Sequence, residues 1–260
     1  MENNTTTLYL ENVNKSFAKI EHDTVTHALH NISLKLNEGE FVSLVGPSGC
    51  GKSTILKLVA GLIYPTSGRV LVDGKEVKGP SPDRGMVFQN PTLFPWLTVE
   101  DNIAFSLKVR GVLKKNDERL DRMLKVIGLE NFKDDYPRQL SGGMAQRVAL
   151  VRSLINEPEI LLLDEPLGAL DAFTRMNMQD EILRMWKQRK QLVLMVTHDI
   201  DEAIYMSTRV IVLDTNPGRV VDDIKIDLPS NRDRASDKFI EYRKRILDEL
   251  HFSNSNQSGL

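Results

Sequence analysis

The segment that decides the fold is GPSGCGKST, Gly46–Thr54, which directly follows the apolar run FVSLV at Phe41–Val45. After it the pattern becomes helical, because Ile55, Leu58 and Val59 recur on one face. A glycine, four residues and then Gly-Lys-Ser form the phosphate-loop pattern, whose backbone N–H groups and following helix N-terminus bind polyphosphate. The stretch predicts an α/β nucleotide-binding core; a tight turn without ligand is the alternative.

Each residue of this loop is assigned a part in nucleotide binding. The predicted set is Gly46, Pro47, Ser48, Gly49, Cys50, Gly51, Lys52, Ser53 and Thr54. Lys52 is expected to reach the β- and γ-phosphates as a catalytic cation, and the Ser53 hydroxyl to ligate Mg²⁺. Cys50 is interpreted as a small loop residue rather than a redox switch, since only its backbone is needed there.

The bulk properties fit an intracellular globular protein. The chain has 260 residues, 41% of them hydrophobic, and a formal net charge of −2, which argues against nucleic acid as the main partner. Its one cysteine, Cys50, allows neither an intrachain disulfide nor a cysteine metal cluster and fits a reducing compartment. No secretory signal pattern and no apolar run of about 18 residues is present, so we expect a soluble chain that docks onto a membrane partner.

Upstream and downstream of the loop, strand patterns predict an N-terminal antiparallel β portion. The alternation of Ile32, Leu34 and Leu36 is typical of a half-buried strand. The strands assigned to this portion are LYLENV, HALHNISLKL, RVLVDG and GMVFQ. From about Thr98 to Ile155 the pattern is helical throughout, with N-caps at Thr98 and Ser141. We therefore predict an inserted α-helical lobe near residues 96–156.

Further strands follow the lobe and complete a single domain spanning residues 1–250. They are EILLLD, QLVLMVTH, RVIVL and RVVDDIKIDL, with a helix at about 172–190 between the first two. This strand–helix–strand alternation favours a parallel sheet. A last helix near 237–250 carries the apolar residues Phe239, Ile240, Ile246, Leu247 and Leu250, which we expect to pack on the core. The polar tail 251–260 is predicted to be disordered.

A second chemical element is ILLLDEP, an apolar strand that ends in Asp164 and Glu165. A carboxylate at the end of such a strand can hold Mg²⁺, and this role is assigned to Asp164. Glu165 is placed to polarise an attacking water as general base. An acidic turn after a core strand is the alternative.

Further motifs show that the chain resembles the ATP-binding cassette ATPases over roughly residues 8–250. LSGGMAQRVAL, from Leu140, resembles their signature motif, which separates them from kinases, small GTPases and helicases with the same loop. Gln89 in VFQNPTLFP resembles the Q-loop, GALD up to Asp171 the D-loop, and His198 in VTHD the switch histidine. Phe17 in VNKSFAKI occupies the place of the aromatic that stacks on adenine.

The resemblance implies a role for each matching residue. Phe17 would stack on the adenine, although a core aromatic in a β layer is the alternative. Gln89 would give its amide oxygen to Mg²⁺ and touch the partner protein. His198 would hydrogen-bond the γ-phosphate, although a lone histidine is more often structural. Asp171 belongs to the nucleotide-binding set with the other motif residues.

The signature segment implies a second nucleotide contact. Ser141, Gly142 and Gly143 begin a helix, and helix N-termini bind anions. In the resembling family two cassettes pair head to tail, so Ser141 and Gly143 are expected to contact the ATP held by a second ATPase subunit. Ala145 and the sequence VRSL depart from the usual signature, and we expect tuning of the helix rather than loss of activity.

Two segments resemble one branch of importers. FQNPTLFPWLTVEDNIAF and NPGRVVDDIKIDLPSNR are similar to ATPase subunits for nitrate, sulfonate, taurine and related solutes. About 60 residues follow His198 in the sequence, so we expect no C-terminal regulatory domain of the kind found in sugar-type importers.

The resemblance thus implies an ATPase, using ATP and Mg²⁺, on the inner face of the cell membrane. Its expected partners are permease subunits, a second ATPase subunit and, indirectly, a substrate-binding protein. The alternatives are a non-transport cassette ATPase, an importer subunit for an unrelated small organic substrate, and a P-loop kinase or GTPase.

Overall fold

The protein is described by a computed structural model that covers residues 6–19 and 24–255. The chain divides into a first unit, residues 1–81 and 190–260, and a second unit, Pro82–Arg189. In chain order the elements are β1 Thr7–Lys19, β2 Thr24–Asn37, β3 Phe41–Val45, α1 Lys52–Ala60, β4 Ser67–Val72, β5 Lys75–Glu76, β6 Arg84–Val87, α2 Val99–Val109, α3 Glu118–Val126, α4 Gly142–Leu154, β7 Ile160–Asp164, α5 Ala172–Arg189, β8 Leu192–Val196, α6 Ile200–Met206, β9 Arg209–Asp214, β10 Arg219–Lys225 and α7 Asp237–Ser255.

An antiparallel sheet in the first unit has the strand order β2-β1-β4-β5. Leu8 pairs with Leu36 and Leu10 with Leu34, and all four side chains are buried. Alternate residues thus face the core, as the period-two pattern requires. The structure confirms the predicted antiparallel β portion for β1, β2 and β4.

The first unit also contains the buried strand before the glycine loop. All five residues of β3 are buried, and it pairs in parallel with both β8 and β9, while β10 is antiparallel to β9. A strand covered on both faces carries a continuous apolar run, which explains FVSLV. Helix α1 follows and buries Ile55, Leu58 and Val59, as predicted.

Helix α7 packs on the first unit through fewer residues than the sequence indicates. Phe239 and Ile246 are fully buried in a cluster with residues of α6 and β9, and Leu250 packs against it. In contrast, Ile240 is 47% and Leu247 36% exposed, so their assignment to the buried stripe is wrong. The helical period turns both away from the cluster face. The helix continues to Ser255, and residues 256–260 of the predicted disordered tail lie outside the described residues.

The second unit contains the helical segment and two parallel strands. Strand β6 pairs with β7 from Arg84 opposite Ile160 to Val87 opposite Leu163. The assignment of GMVFQ to the N-terminal antiparallel portion is therefore wrong: the strand lies beside the one that carries Asp164. Its four residues are too few to show the period that would separate the two kinds of sheet.

The lobe predicted at 96–156 lies within the second unit and is divided into separate helices. Thr98 caps α2 by accepting a hydrogen bond from Asp101 N, and Ser141 caps α4 by accepting one from Met144 N. Turns and two short 3₁₀ segments separate α2, α3 and α4, so the prediction of helix throughout is wrong in these connections. In the described part of the chain, no helix is both long and apolar enough to cross a membrane.

Candidate active site

The phosphate loop has the backbone conformation that its glycines allow. Gly49 and Gly51 have φ values of +85° and +89°, in the left-handed region, and Gly51 caps the start of α1. Other residues adopt this region only with strain, so the glycines let the chain curl between β3 and α1. The loop therefore presents a concave backbone and a helix N-terminus, the arrangement that binds polyphosphate.

The Lys52 side chain lies inside this loop. Its ammonium donates hydrogen bonds to Gly46 O at 2.7 Å and Pro47 O at 2.9 Å, and only 9% of the residue is exposed. Both acceptors are neutral carbonyl oxygens, so these two bonds hold the ammonium in the loop without neutralising its charge. That charge favours an anion at this position.

The Cys50 side chain of the loop points into the protein interior. It is fully buried, and the sulfur is 3.6 Å from Lys52 Nζ. Burial raises the pKa of the Cys50 thiol, although the Lys52 charge opposes this shift. A buried and protonated thiol reacts slowly, which supports a packing role over a redox role.

Two other predicted residues of the first unit lie on exposed surface. Phe17 on β1 is 41% exposed with Lys15 Nζ 4.9 Å from its ring centre, so it is not a core aromatic. His198 is exposed and follows β8. Asp199 next to it caps α6 by accepting from Glu202 N at 3.0 Å. Both predicted contact residues are thus accessible to a ligand.

In the second unit, Gln89 and Glu165 are brought together. Gln89 Nε2 donates to Glu165 Oε2 at 2.9 Å. An ionised carboxylate only accepts hydrogen bonds, so the amide nitrogen must be the end that faces it. Glu165 has φ +47°, a left-handed conformation that is uncommon outside glycine, and it follows the buried Asp164. The geometry thus fixes the direction of the Glu165 carboxylate.

The signature segment begins α4 as predicted. Ser141 Oγ accepts from Met144 N at 3.2 Å, and Ser141 and Gly142 are exposed. A Cβ on Gly143 would lie 3.0 Å from the Leu170 side chain, which favours glycine there. Hydrogen bonding to Thr174 lowers the pKa of Asp171, so this D-loop residue stays ionised.

Sequence reasoning missed how α4 holds the segment that contains Gln89. Gln146 Nε2 donates to Phe88 O at 3.2 Å, Arg152 Nη1 to Thr92 O at 2.9 Å, and Ser153 Oγ to Met86 O at 2.9 Å. Polar residues on an otherwise buried helix were the available signal, because buried polar groups need partners. The signature helix therefore fixes the backbone on both sides of Gln89.

The phosphate loop follows a buried parallel strand, and an Asp–Glu pair lies at the end of a second buried strand. These two features define a P-loop nucleotide hydrolase of the α/β class. A family model described as ABC transporter matches residues 29–168. The chain belongs to this family, whose ATP-binding proteins are ATPases coupled to transport. The predicted fold is confirmed.

Individual relatives agree with this family. An ABC transporter ATP-binding protein of Methanocaldococcus jannaschii is 52% identical over 94% of this chain and 91% of its own length. Aliphatic sulfonates import ATP-binding proteins of Bacillus cereus and Bacillus licheniformis are 43% and 47% identical, over 98% and 90% of this chain and 100% and 93% of theirs. The resemblance to the sulfonate importer branch is thus confirmed.

A solved structure is similar over most of the chain. It is a dimeric ATP-binding cassette in a post-hydrolysis state with bound ADP and Pi, with a TM-score of 0.76 and 35% identity over 85% of this chain and 99% of that one.

Proposed function

We propose that this chain is the ATP-hydrolysing subunit that energises import of a small sulfonate-like anion through a separate membrane permease. The observation that carries the proposal is the phosphate loop with the Lys52 ammonium inside it. The solute class is supported by the relatives that are named for import of aliphatic sulfonates. A separate permease and, indirectly, a binding protein that delivers the solute to it are part of the same proposal; the import role in the relatives' names supports the permease.

The residues present fit ATP and Mg²⁺. The loop offers positive-φ glycines and a helix N-terminus to the phosphates, and Lys52 adds a buried cation. Ser53, Gln89 and Asp164 are the proposed Mg²⁺ ligands, since hydroxyl, amide and carboxylate oxygens suit this ion. When bound, Mg²⁺ neutralises phosphate charge.

Hydrolysis is assigned to Glu165, which would accept the proton of the attacking water. The Gln89 amide donates to this carboxylate and thereby orients it. His198 would hydrogen-bond the γ-phosphate, and Phe17 would stack on the adenine. The exposure of both side chains supports these roles.

We further propose that two ATPase subunits share each ATP. Ser141 and Gly143 would act on the nucleotide of the second subunit, because α4 presents an exposed N-terminus. The similar solved cassette is a dimer, which supports this arrangement. Binding would close the dimer, and hydrolysis would reopen it.

Contact with the permease is assigned to the surface near Gln89 and the helices that follow it. Trp96 is 69% exposed there, and the Phe94 ring lies beside it, tilted by 40° with ring centres 5.6 Å apart. An exposed aromatic on an anchored loop is typical of a protein interface. The subunit would therefore lie at the inner face of the membrane.

The test combines ATP binding, turnover and uptake. Lys52→Ala should weaken Mg-ATP binding, because it removes the loop cation, whereas the exposed Lys57→Ala on the same helix should not. Glu165→Gln should bind ATP and lose about 10² to 10⁴ in turnover. Glu159→Gln, just before the same strand, is its control.

Two results would contradict the proposal. Near-normal turnover in Glu165→Gln would remove the catalytic assignment. Vesicles with the co-purifying permease and binding protein should take up an alkanesulfonate when ATP is supplied; uptake of nitrate but no sulfonate would refute the solute class.

A further inference from the structure

The turn between β9 and β10, with sequence NPG at residues 216–218, lies against the underside of the phosphate loop. A Cβ built on Gly218 would lie 2.1 Å from Cys50 O and 2.9 Å from Ala28 O. No real Cβ tolerates such distances to backbone atoms, so only glycine fits. This packing gives the NPG sequence a physical reason that the predicted function did not supply.

The turn is also bonded to the antiparallel sheet. Gly218 N donates to Ala28 O at 3.0 Å, and His30 N donates to Gly218 O at 2.9 Å. These two bonds enclose Leu29, whose side chain supports the loop from the same side: a Cβ on Gly51 would lie 2.4 Å from Leu29 Cδ2. Gly218 and Leu29 therefore form a support under Cys50 and Gly51 that is bonded to β2.

This support determines where one loop amide points. The Cys50 oxygen is nearer to the Gly218 position than the Cys50 carbonyl carbon, 2.1 Å against 3.1 Å, so the C=O bond points towards Gly218. In a planar trans peptide the next N–H points the opposite way. The Gly51 N–H is thus directed away from the support, and the proposed phosphate would lie on that side of the loop.

We propose that Gly218 and Leu29 are positioning residues for ATP binding, which act by orienting the Gly51 N–H of the phosphate loop. The inference rests on the proposed binding of ATP to this loop. A methyl group at position 218 must displace the Cys50 carbonyl and rotate that peptide. One charge-assisted hydrogen bond to phosphate would be lost or bent, an effect of about tenfold in affinity.

The experiment measures the KM for Mg-ATP, kcat and the dissociation constant of Mg-ATP for the wild type and three variants. Gly218→Ala should raise KM and the dissociation constant about tenfold with kcat within about twofold of wild type. Leu29→Val removes one methylene beneath Gly51 and should raise both about two- to threefold. Gly79→Ala is the matched control, because a Cβ there meets no atom within 4 Å and its φ is not positive.

A merely structural role would lower the melting temperature or the active fraction without this split between KM and kcat. Wild-type affinity in folded Gly218→Ala overturns the proposal. If Gly218→Ala does not fold, Leu29→Val decides: a raised KM supports the proposal, and an unchanged one overturns it. If the wild type itself binds no Mg-ATP, the proposed function fails and the inference fails with it, whereas equal binding by all four proteins contradicts only the inference.

Discussion

Asn102 on α2 anchors the loop that carries Trp96, and its replacement by alanine is expected to release that loop. The side chain is fully buried, and its oxygen accepts from Phe94 N at 2.8 Å. Its nitrogen donates to Phe94 O, Leu97 O and Thr98 O at 3.1, 3.1 and 2.9 Å. The amide nitrogen has two protons for these three acceptors, so it donates two full hydrogen bonds. With the bond that its oxygen accepts, the side chain makes three.

The expected cost of Asn102→Ala follows from those bonds. Each contributes about 1 kcal/mol net, so the free energy of unfolding should fall by about 3 kcal/mol. Urea unfolding followed by circular dichroism measures this change. Thr98→Ala is the control, since it removes the N-cap of the same helix but keeps the Asn102 bonds, and it should cost about 1 kcal/mol.

The functional result should be selective. In a Trp186→Phe background, Trp96 is the remaining tryptophan of two, and its fluorescence anisotropy should fall in Asn102→Ala. Basal ATP hydrolysis should persist, while stimulation by the permease should fall, because the proposed contact surface has lost its fixed position. A loss below about 1 kcal/mol, or one no larger than that of Thr98→Ala, would refute the reasoning.

Three further predictions concern the first unit. Because burial raises the pKa of the Cys50 thiol, its reaction with a disulfide reagent should be slow at neutral pH and accelerate only above the ordinary thiol range. The free energy of unfolding should fall with rising pH in that same range, because the unfolded chain releases the thiol proton at lower pH than the folded chain does. Protein unfolded in guanidinium must react fast with the reagent. Equal reaction rates of the folded and unfolded protein would contradict the burial of Cys50. Arg243 donates through two nitrogens to Asp201 on α6, the helix that begins two residues after His198. Arg243→Ala should therefore lower the free energy of unfolding by up to about 1 kcal/mol. It should also lower kcat, with a smaller change in the KM for ATP. Arg245→Ala, whose partner lies on β10, is the control, and equal kinetic effects of the two would argue against a link to His198.

Sequence patterns predicted the elements whose physics is local. The apolar run of β3, the helical face of α1 and the N-caps at Thr98 and Ser141 depend on neighbouring residues, and the structure shows each of them. The motif residues also lie at the element ends where they were expected, because strand ends and helix starts are set by the same local signals.

The errors arose where a long-range choice decided the structure. The β6 segment has apolar residues that suit either sheet, and only pairing with β7 places it in the parallel one. On α7, both Phe239 and Ile240 fit an apolar stripe, but one helix face alone meets the cluster of α6 and β9. The Gly218 contact with Cys50 joins segments far apart in sequence, so no local pattern reveals it.

In the second unit, motifs that are separate in the sequence are joined by hydrogen bonds. Gln89, Glu165 and the signature helix were predicted one by one, each with its own role. In the structure α4 holds the backbone on both sides of Gln89, and Gln89 in turn donates to Glu165. Hydrogen bonds thus connect α4 through the Gln89 segment to the proposed general base. Since Ser141 begins that same helix, the nucleotide contact proposed at its N-terminus lies on an element that is hydrogen-bonded to the Gln89 segment.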